Sequence, residues 1–234
     1  MTTIYKRELK SFFITGNGYA FLFAFSFLTG LLFYFGNILT RYSDLSPFYA
    51  MTAYIWILII PMLTMRLITE ERKNGTDLLL LYSPVSAEQI IFAKYLAALS
   101  LMVFALLLGG IYPLTIAAFG PLYLPETLTG FLGIFLYGAV LIAVDMFVSS
   151  FAKNAATAFV LSLGANMLLR FAGLFANSVA WTAPSYFISL FDIEMHFEPF
   201  LYGQLSFASV LYFLLFIILN MAFTNMSVKN RRTG

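Results

Sequence analysis

Two ionisable side chains sit where a chain can rarely place them. Asp145 and Arg170 each lie inside a long apolar stretch, with Asn166 one helical turn before Arg170. A charge in hydrocarbon is costly and is by default a functional candidate, so all three are candidates for a substrate path. If the stretches around them are helices, Asp145 enters five residues from one end and Arg170 thirteen from the end of the next. Their depths then differ by roughly 12 Å at 1.5 Å per residue, too far for a direct pair. Asp145 has a plainer role available as a cap near a helix end. Arg170 has one too, snorkelling toward headgroups with its stem in lipid, and Asn166 is spaced to share its site.

Other chemistry is missing. There is no Gly-x-x-x-x-Gly-Lys-Ser/Thr loop to cradle phosphates, so the chain has no ATP hydrolysis of its own. No cysteine excludes disulfides and thiolate sites, and one histidine, His196, excludes a His-Glu-x-x-His metal pair. Ser149 and Ser162 stand in the apolar stretches, His196 stands outside them among acids, and no serine lies in a Gly-x-Ser-x-Gly turn. The chain is therefore expected to be no enzyme by itself and to hold neither cofactor nor metal.

What positions these residues is a membrane. Of 234 residues, 61% are hydrophobic and 10% charged, against about 25% charged in a soluble domain. So few charges cannot clothe a soluble body of this size. The net charge of +2 gives no reason to expect nucleic acid. Six continuous apolar stretches, near 19–39, 48–65, 91–119, 128–150, 157–176 and 205–226, are long enough to cross as helices. Their continuity argues against a barrel. The expected fold is an all-α polytopic membrane domain occupying 1–234 with six spans. With the amino terminus inside, eleven of thirteen Lys and Arg fall on the inner side, which places both termini in the cytoplasm. Charge followed by Gly16-Asn17-Gly18 and a full-length span is not the layout of a cleaved signal peptide.

Three segments do not span. Residues 1–18 put Tyr5, Leu9, Phe12 and Phe13 at helical spacing with Lys6, Arg7 and Lys10 on the other face, an interface helix. Residues 66–90 carry Arg66, Glu70, Glu71, Arg72, Lys73, Gly75, Thr76, Asp77, Leu78, Leu79 and Tyr82, and then Ser-Pro. Gly75 suits a helix end and Thr76-Asp77 a helix start. Ser86 with Gln89 has capping-box spacing. Caps, breaks and an apolar face suggest a docking surface for another protein, the alternative being a short helix resting on lipid headgroups. Residues 177–204 hold Trp181, Pro184, several aromatics and the acids Asp192, Glu194 and Glu198, expected as a re-entrant cap outside. Residues 227–234 form a cytoplasmic tail, and small residues such as Gly133, Gly138, Ala139 and Ala143 are expected to let spans four and five approach.

The docking segment carries a resemblance. Glu70-Glu71-Arg72-Lys73-Asn74-Gly75-Thr76-Asp77-Leu78-Leu79 with Ser83-Pro84-Val85-Ser86 resembles the segment between spans two and three of type-2 ABC exporter permeases. Lys6 to Phe13, Ser149-Ser150-x-x-x-Asn154 and His196-Phe197-x-x-Phe200-x-x-Gly203 are similar to three further family stretches, in matching order. They are most like the gliding-motility and nitrous-oxide-reductase maturation branch. The resemblance implies a coupling helix after span two and short extracellular helices before span six. It implies an inner-membrane permease half that pairs with a cytoplasmic ABC ATPase and a second permease half, identical or paralogous. ATP and magnesium would then be bound by the ATPase, and the complex would export a substrate. The competing class is a non-transporting subunit that anchors cytoplasmic partners through the same loop.

Overall fold

Tyr5, Leu9 and Phe12 repeat at the spacing that gathers apolar side chains on one side of a helix. In the computed structural model, which describes residues 1–73, 86–178 and 188–230, they lie on α1 (Thr2–Ile14). Phe12 is buried while Lys6, Arg7 and Lys10 face out. Gly16, at φ 78°, turns the chain in a conformation that residues with a Cβ rarely adopt. The next helix, α2 (Asn17–Phe33), starts at once and runs on through a π turn at Tyr34–Ile38.

Among the described residues eight further helices follow: α3 (Ser46–Lys73), α4 (Ala87–Gly109), α5 (Ile111–Phe119), α6 (Leu124–Ser149), α7 (Ala155–Arg170), α8 (Ala172–Ser178), α9 (Ile193–Leu201) and α10 (Phe207–Asn230). No strand occurs among the described residues. Five helical stretches among the described residues are long and apolar enough to cross a membrane: Asn17–Ile38, Ser46–Thr69, Ala87–Phe119, Leu124–Ser149 and Phe207–Lys229. Ala155–Arg170 is apolar but shorter.

The fifth expected span therefore differs from the sequence reading. Instead of one helix over 157–176, the chain makes 16 residues of α7, about 24 Å, and breaks at Phe171 before α8. The break lies beside the cap. Asp192, which caps α9 through the backbone N–H groups of Glu194 and Met195, has its carboxylate packed where a Cβ on Gly173 would stand. Only a glycine there lets α8 lie this close to the start of α9.

The interior is built on α3 and α6. Phe21 and Phe25 of α2 stack on Trp56 of α3, with ring centroids 6.0 and 4.6 Å apart. Trp56, Tyr137, Phe197, Phe200 and Phe213 are fully buried. The glycines of α6 serve neighbours other than α7: Gly138 faces Met102 and Trp56, and a Cβ on Gly133 would stand 2.6 Å from the Cβ of Phe200 on α9. The close approach at these two glycines thus seats α3, α4 and the cap. Outside, α2 and α10 present exposed Phe23, Phe27, Leu215, Ile218 and Leu219, an apolar perimeter suited to lipid.

Candidate functional site

The two ends of the bundle carry different machinery. At one end α1, the close of α3, the start of α4 and the tail of α10 meet. Lys94 of α4 is buried, and its Nζ donates to the carbonyl of Leu67 at 2.6 Å and stands 3.4 Å from Oε1 of Glu8. Glu8 also holds Arg7, and Tyr5 bonds Ser100 at 2.9 Å. One cation thereby joins α1, α3 and α4. Ser86 caps α4 by accepting from the Gln89 N–H at 3.3 Å, as its spacing predicts. Glu88 holds Lys229 and Asn225 of α10 at 2.7 and 3.0 Å.

The residues expected to dock a partner begin on this end. The sequence reading ends span two at 65, whereas α3 continues through 28 residues to Lys73. That is about 42 Å, against about 30 Å of hydrocarbon, so the helix projects. Arg66 is half-buried on it. Glu70, Glu71, Arg72 and Lys73 belong to its last turn, and their side chains lie outside the described structure. Gly75, Thr76, Asp77, Leu78, Leu79 and Tyr82 lie outside the described residues altogether.

At the opposite end α9 is fastened between helices. Ser46 donates to the Leu201 carbonyl and Thr129 to that of Phe200, both at 2.7 Å. Arg170, the last residue of α7, is 8% exposed. It pairs with Glu194 of α9 and lies over the ring of Tyr54 on α3, 4.3 Å from its centroid. It does not snorkel. The acid and the ring together hold a planar cation inside the protein. His196 stacks on Tyr212 at 3.9 Å. Burial lowers its imidazole below the ordinary value of 6.5, and Asp192 pulls the other way. Ser149 and Ser162 are both fully buried.

Asp145 caps nothing. Its Oδ2 accepts from Thr64 of α3 at 3.0 Å, and Asn166 and Ser162 of α7 lie against its carboxylate. Asn166 therefore belongs with Asp145 and not with Arg170, because residues 166 and 170 serve different levels of the bundle. As the depth difference implies, Asp145 and Arg170 form no pair. A separate cavity of about 520 Å³, lined by Phe33, Asn37, Arg41, Thr115 and Phe119 among others, opens beside the π turn of α2 and includes neither residue.

Residues 3–184 match the family described as ABC-2 family transporter protein. The chain belongs to that family. ABC-2 proteins are membrane components of ATP-binding-cassette transporters, generally not catalytic themselves, and they normally work with an ABC ATPase. Membership and five long apolar helices make this ABC-2 protein a multi-pass membrane protein. No curated protein matches the chain. The residues missed by the sequence reading of this ABC-2 chain are partners: Lys94, Glu8, Thr64, Tyr54 and Glu194. Only Ser162 with Asn166, four apart on one face, offered a signal.

Proposed function

We propose that the chain is the permease half of an ATP-driven exporter, worked by a separate cytoplasmic ATPase gripping residues 66–86. The observation that carries this reading is the junction at Lys94. The helices entering and leaving the docking segment, α3 and α4, are tied to each other and to α1 by one buried cation. A push on the segment then moves three elements as one body, the way packed helices transmit rigid displacements. Leu78, Leu79 and Tyr82 anchor the ATPase through apolar contact, while Arg66, Glu70, Glu71, Arg72, Lys73 and Asp77 set register at the rim.

ATP and magnesium belong to the partner. Two docking segments are needed for two ATP sites, so a second permease half, identical or paralogous, completes the machine. In this reading α7 and α8 together make the fifth of six spans, both termini face the cytoplasm, and the protein resides in the inner membrane. By its motifs the chain resembles the gliding-motility and nitrous-oxide-reductase maturation branch. Arg170 closes the outer end against the cap, and Asp145 and Asn166 lie farther along the same interior.

Charge reversal at Glu71 and Arg72, or Leu79→Asp, is expected to abolish copurification of the ATPase while the permease stays in the membrane. Undiminished copurification overturns the docking assignment. Reconstituted vesicles holding both subunits should move a substrate in one direction. Recruitment of the ATPase without such movement favours the anchoring subunit instead.

A further inference from the structure

The polar groups around Asp145 form a cluster with too few internal partners. Asp145, Thr64, Ser149, Ser162 and Asn166 are each fully buried. They reach the interior as pairs four residues apart, Asp145 with Ser149 on α6 and Ser162 with Asn166 on α7, joined by Thr64 from α3. The carboxylate has one hydrogen bond, from Thr64. That hydroxyl has a single proton, and the carbonyl of Ile60 at 3.1 Å competes for it. Asp145 Oδ1, Ser149 Oγ, Ser162 Oγ and both polar atoms of Asn166 are buried without a partner.

A carboxylate in such a place must be neutralised. The groups lying against it, Thr64, Asn166 and Ser162, are all neutral. Arg170, one turn beyond Asn166, is engaged by Glu194 and Tyr54. The neutralising positive charge then comes from outside the chain, as a bound proton or as a bound cation. The available donors are oxygens from a carboxylate, an amide and hydroxyls, a set that suits hard cations. A single carboxylate balances a single positive charge. Among the described residues no three His, Cys, Asp or Glu side chains converge, so the site lacks the ligands of a transition metal or a tightly held divalent ion.

We propose that Asp145, Asn166, Ser162 and Thr64 bind one alkali cation of the size and hardness of sodium. It clamps α3, the helix that continues toward the docking segment, against α6 and α7. This inference does not depend on where the ATPase binds. The test uses the full chain purified in detergent, with its thermal midpoint followed as sodium chloride replaces choline chloride at constant ionic strength and pH. The midpoint should rise saturably by several degrees. Asp145→Asn should fold, match or exceed the native midpoint in choline, and lose the sodium-dependent rise. Ser162→Ala and Asn166→Ala should each weaken apparent sodium affinity about tenfold. A midpoint indifferent to sodium, or a rise retained in Asp145→Asn, overturns the proposal. So does a midpoint that follows pH alone, because the charge would then be a proton. If Asp145→Asn does not fold, unchanged sodium affinity in both alanine variants overturns it equally.

Discussion

The interiors around Asp145 and around Arg170 solve one problem in opposite ways. Arg170 recruits an acid and an aromatic ring from two other helices, so its charge is compensated within the chain. Asp145 recruits only neutral groups and leaves half of its carboxylate unsatisfied. The difference teaches that an intramembrane charge is not one kind of feature. At the cap end it is a fastener between α7 and α9. At the level of Thr64 it is a carboxylate set among neutral groups of three helices.

The sharpest way to break this comparison is to remove the partner of the better-buried charge. The Glu194 side chain is 33% exposed and that of Arg170 is 6% exposed. Glu194→Ala strands a buried guanidinium and should cost about 3 kcal/mol, the lower part of the range for breaking a buried pair. Arg170→Met returns a carboxylate to water and should cost about 1 kcal/mol. Equal losses in denaturant titrations of the purified protein would show that the pair is not asymmetrically buried. At Asp145 the ordering is different: Asp145→Ala opens a hole among unpaired hydroxyls and should cost about 2 kcal/mol, whereas Asp145→Asn, measured without added sodium, should cost almost nothing. A large loss in the asparagine variant would place Asp145 in the same class as Arg170.

The smallest effect is a pH dependence at the cap. His196 is held below its ordinary value, so the folded cap favours neutral imidazole. Stability at the cap is then complete above about pH 6.5 and declines as pH falls through that value toward the lower folded one. Hydrogen exchange of the 193–201 backbone, taken relative to the intrinsic amide rate at each pH, should accelerate at pH 5.5 relative to pH 7.5. The acceleration should vanish in His196→Gln. Persistence of the full acceleration in that variant would move the titrating group elsewhere.

Much of the framework was legible in the chain because spans and interface helices are written in local composition. The apolar face of α1, the stop at Gly16, the cap at Ser86 and the lengths of four spans follow from spacing alone. Span two was read short because Arg66 looked like a membrane boundary, yet a helix can carry its charged residues past the headgroups without ending. Span five was read whole because hydropathy continues through Phe171 and Ala172, and nothing local marks the break. What lies against the chain just after the break is Asp192, packed on Gly173 from nineteen positions away in sequence.

From sequence alone came the solvent, the class of element and the residues too expensive to be in lipid without purpose, since these depend on transfer energies summed over neighbours in the chain. Tertiary structure alone decided which of those residues are paired. Lys94 with Glu8, Arg170 with Glu194 and Asp145 with Thr64 join helices distant along the chain, and electrostatic compensation depends on distance in space, which composition does not encode.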